Sequence, residues 1–385
     1  MAASGPRFLV TVDEDDESMR SALPQLREMK DVEVLVKAPE GKIAACNSGL
    51  CERKWDVVLL ASDDMIPKVG GYDKIISDDM QKSYPDLDGV LHYNDGHRGR
   101  DLNTLCILGR EYFNRFGYIY HPGYKSLWCD CEFTEVANAL NRQTYSNRIL
   151  IRHEHWCFRE REVDASDRQG NDDWGGDENL YQKRKAAKYH IRLWDILVCS
   201  VPRRAGMLKA LLANIQTQIT QSQYPHNVHV IVEVDDGTMT IGAKRNRLMA
   251  KASGEYVCYV DDDDKVSGNY VSAIAGVLWG CKVDCVGMRG EVEWPAGLWR
   301  TFEHSLKHDN YYERQDRFLR PPNHLNPIRR RIAARFPFPE ADIGEDTDYA
   351  MKMLRARVLK TERFIDRPLY FYIPSEVWRK KEQHR

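Results

Sequence analysis

The feature that most constrains this chain is an alternation of strand-like and helix-like segments that it runs through twice. The first half reads RFLVTV, VEVLV, GKIAACNSGL and WDVVLLASDDMIP; the second reads DILVCSV, VHVIVEV, IGAKRNRLMA and EYVCYVDDDDKVS. In each, β-branched runs of strand length alternate with helical stretches, and a helix opened near a glycine leads into an acidic cluster. The likeness continues downstream, where REYFNRFGY followed by WCDCEF answers RRRIAARFPF followed by GEDTDY. Such alternation implies α/β units with a mostly parallel, doubly wound sheet. At 385 residues the chain is long enough for two domains with a core each. The expected organisation is therefore two tandem α/β domains, residues 1–160 and 193–385. Between them lies a polar, then basic linker over 161–192 with one short helix.

Composition removes several classes. A formal net charge of −2 gives no global attraction to nucleic acid or anionic membrane, so such a partner must be met by local patches. The opening MAASGPRFLVTVDEDD has no basic region before a long apolar run, and no later segment approaches about 18 uncharged apolar residues. Neither conventional secretion nor membrane insertion is expected. The ten cysteines are scattered, and the closest pairs, Cys129/Cys131 and Cys281/Cys285, lack zinc-ribbon spacing. They read as reduced thiols of a cytoplasmic protein.

The chemistry concentrates where strands run into carboxylates. Ser62-Asp63-Asp64 follows VVLLA, and Asp261 to Asp264 follow YVCYV. In an open α/β sheet, ligands bind beyond the carboxyl ends of the strands. Neighbouring carboxylates repel one another, and a divalent cation with a bound diphosphate offsets that repulsion. Acidic clusters after strands also hold Mg²⁺ for nucleases and phosphotransferases, although no phosphate loop of the GxxxxGK type is present. A non-catalytic binding module remains open for either half.

Taken in order, ILVCSVPRR, IGAKRNRLMAKASGEYVCYVDDDD and IGEDTDY make the second half resemble a family 2 glycosyltransferase of GT-A fold. The series GAKRNRL, DDDD, RPPNHLNP, GED and RPLYFY is similar to glycosyltransferases encoded by tailed phages, which implies host cytoplasm. Through GKIAACN, SDDM and WCDCEF the first half resembles a more divergent GT-A domain.

The resemblance implies a metal-dependent, inverting hexosyltransferase that uses a nucleotide sugar, UDP-sugars being commonest in the family. It implies Asp263 as ligand of Mn²⁺ or Mg²⁺, Asp261 facing the nucleotide, and Lys244, Arg245 and Asn246 opening a helix toward the diphosphate. Asp346, with Glu345 beside it, would take the acceptor proton. In the first half the same roles fall on Asp63 and Asp64 for metal, with His153 or His155 completing the site, and on Asp130 for the base. Lys42 and Asn47 would stand toward the donor there, since Ala45 and Cys46 replace Lys244 and Arg245.

Both halves could act in sequence, or one could be active and the other bind or position the acceptor. Basic runs at Arg329 to Arg331, Lys183 to Lys185 and Arg379 to Lys381, interleaved with tryptophans, suit DNA phosphates. A hydroxymethylated base in phage DNA is the expected acceptor, with a surface polysaccharide or a virion protein as alternatives. The sequence sets no oligomeric state.

Overall fold

The computed structural model describes residues 5–154, 156–158, 174–293, 298–314 and 316–373. The chain divides into two compact units, Met1–Tyr189 and His190–Arg385, and each is α/β, the class expected from the alternation. Among the described residues no helix is long and apolar enough to cross a membrane.

In the first unit, β1 (Phe8–Asp13) pairs parallel with β2 (Val32–Lys37), and α1 (Leu23–Glu28) lies between them in sequence. After α2 (Lys42–Asn47) come β3 (Val57–Leu59), β4 (Met65–Pro67), α3 (Tyr72–Ser83), β5 (Val90–Tyr93) and β6 (Ile107–Gly109). They are followed by α4 (Arg110–Asn114), α5 (Cys129–Ala139), β7 (Gln143–Ser146), β8 (Ile151–His153) and α6 (Trp174–Ala186). Helix α6 lies in the stretch 161–192 read as a linker, but it falls within the first unit, where its side chains bind α5. Residues 159–173, the rest of that polar stretch, lie outside the described residues.

The second unit opens on β9 (Trp194–Ser200), buried along its whole length, as a strand covered on both faces must be. Next come α7 (Ala205–Gln221), β10 (Val228–Val234), α8 (Ile241–Lys251), β11 (Tyr256–Tyr259), β12 (Lys265–Val266) and α9 (Tyr270–Gly280). The chain continues through β13 (Cys285–Glu293), β14 (Trp299–His304), β15 (Tyr312–Glu313), β16 (Arg317–Arg320) and β17 (Ile328–Arg329). It then runs through α10 (Arg330–Ala333), α11 (Glu345–Arg355) and β18 (Glu362–Tyr372).

Two apolar layers hold this sheet. Leu211, Ile215 and Ile219 of α7, at helical spacing, join Tyr270, Ile274 and Leu278 of α9 in one core cluster. A second cluster joins Leu248 of α8, Ile332 of α10 and Tyr349 and Met353 of α11.

The repeat read from the sequence recurs in the pairing. In the second unit β17 is antiparallel to β11 and β13, β13 is parallel to β18, and β12 is antiparallel to β18. In the first unit β6 is antiparallel to β3 and β5, β5 is parallel to β7, and β4 is antiparallel to β8.

Candidate active site

Strands β9, β10 and β11 are parallel in the order β10-β9-β11, so the chain leaves β9 to one side and returns on the other. At such a reversal the carboxyl ends of the strands part and leave a crevice. Two segments enter it: Ser200 to Arg204 after β9, and Asp261 to Asp264 after β11.

The four aspartates are tolerated together because each has its own partners. Asp261 meets Arg245 Nη2 at 3.0 Å and faces His324 Nε2 at 3.6 Å. Asp262 is buried and accepts from Ser200 Oγ at 2.6 Å and Arg204 Nη1 at 2.7 Å. Asp263 meets Arg204 Nη2 at 3.0 Å. Asp264 accepts from Tyr370 Oη at 2.7 Å and from the Ile373 amide at 2.8 Å. Tyr370 Oη in turn accepts the Asp261 amide at 3.1 Å, so one phenol fixes both ends of the turn.

The charges are unevenly compensated. Burial pushes the Asp261 carboxyl up, but the Arg245 guanidinium and His324 outweigh it and hold it well below the usual range. Burial raises Asp263, with Arg204 opposing and the negative Asp261 and Asp262 adding to the rise. Asp264 is pushed well up by burial and by Asp261.

The second acidic element arrives from far along the chain. Gly344 takes a left-handed conformation, φ +80°, and turns the chain into α11 at Glu345, a backbone state that glycine adopts without steric cost. Glu345 is buried against Arg245 Nη1 at 2.7 Å, so one enclosed guanidinium bridges Glu345 and Asp261. Burial raises the Glu345 carboxyl and Arg245 opposes the rise. Asp346 keeps 27% of its side chain exposed and lies 3.9 Å from His324 Nδ1. Tyr311 belongs to the same surroundings: burial and the Asp346 charge push its hydroxyl up to about 12.

The structure brings Asp261, Asp263, Glu345, Asp346 and Arg245 together, yet it corrects how the donor-side residues act. Lys244 is buried and paired with Asp235 Oδ1 at 2.5 Å, away from solvent. Arg245 is enclosed between two carboxylates. Asn246 donates to the Phe338 carbonyl and accepts the Phe338 amide, both at 2.9 Å, which makes it a clamp between segments.

The amino end of α8 is taken as well. The Ile241 amide donates to Asp342 Oδ1, Gly242 to the Ala341 carbonyl and Ala243 to Thr240 Oγ1. The chain itself fills the anion site that a helix start offers. Besides the enclosed Arg245, Arg204, a third exposed, reaches the acidic turn at Asp262 and Asp263. Neither Arg204 nor His324 was singled out from sequence. VPRR and RPPNHLNP held them, but a basic loop pair reads as solvated, and a lone histidine announces no partner.

In the first unit the acidic turn has the same closure. The Met65 amide donates to the Ser62 carbonyl as Asp264 does to Asp261, which sets Ser62 where Asp261 stands. Asp64 Oδ2 lies 3.2 Å from His153 Nε2 and Asp64 also accepts from Ser62 Oγ, while Asp63 is exposed. His155 lies outside the described residues. Asp130 is the second residue of α5, after Trp128 at φ +63°, as Asp346 follows Gly344. Burial raises its carboxyl, with the Cys131 amide and Lys42 opposing.

Asn47 clamps the Ile119 and Tyr120 backbone, the counterpart of Asn246, and so is corrected likewise. The segment before Asp130 is fastened by α6. Asp177 accepts the amides of Lys125, Ser126 and Leu127, and Arg184 makes a two-pronged pair with Glu132 at 2.6 and 2.7 Å.

Two of the basic runs are partly taken up by pairing within the chain, although Lys183, Lys185 and Arg331 stay exposed. Arg329 is buried on Glu255 at 2.7 Å, Arg330 Nε donates to the Gly254 carbonyl, and Arg184 and Lys185 are held by Glu132 and Glu135. Residues 379–381 lie outside the described residues. Among the described residues, no three His, Cys, Asp or Glu side chains converge as a metal cage.

No family model matches the chain, and no curated protein matches it. Among solved structures it is similar to S. aureus TarS 1–349 in complex with UDP-GlcNAc, with 14% identity over 48% of this chain and 59% of that one, TM-score 0.34. TarS 1–349 without that ligand gives 16% identity over 47% and 60%, also at 0.34. The bifunctional IspDF from Campylobacter jejuni gives 10% over 46% and 50%, at 0.27. The chain thus spans about three fifths of the TarS chain it matches. Likeness at this level ends there, and what the site does follows from its own side chains.

Proposed function

We propose that the second unit is a metal-assisted, inverting glycosyltransferase that moves a sugar from a nucleoside diphosphate, UDP in the first instance, to an acceptor hydroxyl. The observation that carries this reading is the meeting of Asp261 and Asp346 across one imidazole, at 3.6 and 3.9 Å. The family resemblance assigns the first to the donor and the second to the acceptor, and both stand at the crevice of the sheet.

Asp263 is the carboxylate we assign to Mg²⁺ or Mn²⁺, because unlike the buried Asp262 and Asp264 it keeps 22% of its side chain exposed, and burial and its negative neighbours raise it against Arg204. Such a cation uses one or two carboxylates and takes its remaining ligands from phosphate and water, which suits a site without a three-residue cage. When bound, it neutralises charge developing on the leaving diphosphate. Arg204, oriented by Asp262 and Asp263, would offer its remaining N–H donors to diphosphate oxygens.

Asp346 takes the proton of the acceptor hydroxyl as its oxygen bonds to the anomeric carbon and the bond to diphosphate breaks. General-base catalysis of this kind contributes roughly 10² to 10⁴ in rate. We further propose that the first unit is a non-transferring copy. Where Arg245 ties the donor acid to the acceptor helix, it has Cys46, and its acid-bearing segment is fastened down by α6.

Incubation with a panel of nucleotide sugars tests the reading. Release of UDP that stops after exhaustive metal removal and returns with Mn²⁺ is expected, without cleavage of DNA or ATP. Full turnover in chelator would remove the metal assignment, and cleavage of DNA would favour a nuclease.

A further inference from the structure

We infer that His324 is a positioning residue that couples the two halves of the transfer, one ring nitrogen to each carboxylate. The inference rests on the glycosyltransferase reading of this site and deepens it. His324 is 6% exposed, and neither ring nitrogen has a hydrogen-bond partner among the described residues. A buried polar group left unpaired is costly, so a ring with both nitrogens open marks a place where something closes.

What faces it is specific. Nε2 looks at Asp261 Oδ2 from 3.6 Å and Nδ1 at Asp346 Oδ2 from 3.9 Å. Neither is a hydrogen bond at that separation. Each needs less than about 1 Å of closure to become one, and such contacts commonly tighten only when substrate is bound.

The loop that carries the ring is built to hold it still. The Tyr259 amide of β11 donates to the His324 carbonyl at 2.7 Å, tying the loop to the strand that ends in the acidic turn. Asn326 Oδ1 accepts the Asn323 amide at 3.0 Å, its Nδ2 donates to the Val286 carbonyl at 2.9 Å, and Asn323 Oδ1 accepts the Leu325 amide at 3.0 Å. With the backbone fixed on both sides of residue 324, closure must come from the carboxylates or the ring torsions. Donor seated on the Asp261 side therefore draws the imidazole, and the imidazole sets the Asp346 carboxylate against the acceptor hydroxyl. In the first unit the matching place before β6 holds Thr104 instead of a histidine, and its hydroxyl is spent on Asp95 at 2.8 Å.

Two substitutions separate the nitrogens, since the Asn amide nitrogen stands near Nδ1 and the Gln amide nitrogen near Nε2. With UDP-GlcNAc and Mn²⁺, UDP release is measured as kcat and KM, and UDP affinity by calorimetry, on wild type and on His324→Ala, His324→Asn and His324→Gln. His324→Ala should lose about ten- to hundredfold in kcat, the scale of one hydrogen bond to a charged group. His324→Asn should recover most of kcat with weaker UDP binding, and His324→Gln should keep UDP affinity while kcat stays low.

Equal losses in the Asn and Gln variants, or an Ala variant within twofold of wild type, overturn the inference while the transferase stands. A wild type that neither binds UDP nor releases it from the donor takes the functional reading down first. Should the variants fail to fold, wild type crystallised with UDP and Mn²⁺ decides. Both gaps closed to about 3 Å support the coupling, and a ring left at its present distances overturns it.

Discussion

Arg245 shows how little a residue's type says about its use. On the first turns of a helix it reads as a cation for phosphate; in the fold it is enclosed between Asp261 and Glu345, over the rings of Tyr259 and Phe338. Removing one partner of a buried ion pair leaves the other charge uncompensated, at a cost of about 3–5 kcal/mol. Arg245→Met should lower unfolding free energy by that amount at pH 7, measured by denaturant titration.

The pH dependence has a definite sign. Asp261 is depressed in the folded state, so its stabilisation is complete above the ordinary value of 3.8 and lost as pH falls through the lower folded value. Without Arg245 that depression shrinks to what His324 supplies, and the stability gap between variant and wild type should narrow below about pH 4. Melting curves from pH 7 to pH 2.5 check this, and a gap that widens toward acid contradicts it. The acids were legible from sequence because strand ends followed by carboxylates have few uses. Their partners were not, because Arg204 and His324 come from loops that sequence spacing cannot bring to Asp263 or Asp261.

At the scale of elements, the alternation was readable because strand and helix periods show in the apolar pattern, and matching pairings occur in both units. What could not be read was which polar residues serve the elements themselves. Asn47 and Asn246 stand at matching places in α2 and α8, and both spend their amides on the backbone of the segment after α4 or α10. Asn47→Ala and Asn246→Ala should each cost about 1–3 kcal/mol, the penalty of leaving such groups unpaired. The matched pair should leave UDP affinity unchanged, and calorimetry on both variants checks it. A tenfold loss in UDP affinity for Asn246→Ala alone would restore it to the donor site.

Gly242 is a stricter case. A Cβ there would stand 1.8 Å from the Pro339 carbonyl oxygen, so Gly242→Ala must push α8 and the segment before Gly344 apart. A loss of about 1–3 kcal/mol is expected, and kcat should fall with it because that segment leads into Asp346.

For the whole molecule, two α/β units carry unequal candidate sites. Composition could not reveal this, since both halves offer acids in the same order, and the difference lies in Arg245 against Cys46 and in how each acid-bearing segment is covered. The basic runs that suit DNA are partly consumed by Glu132, Glu135 and Glu255. DNA affinity should therefore be weak even at low salt, with few counterions released. A steep loss of tight binding between 50 and 200 mM salt would return DNA to the acceptor position.

The central claim is that one unit transfers and that Asp346 is its base. Its most direct measurement is UDP release from UDP-sugars with Mn²⁺, read side by side for wild type, Asp346→Asn and Asp130→Asn, with UDP affinity recorded for each. The account predicts that Asp346→Asn loses at least about a hundredfold in kcat while still binding UDP, and that Asp130→Asn turns over within twofold of wild type. Loss of turnover in Asp130→Asn with Asp346→Asn unaffected would place the reaction in the first unit and contradict it.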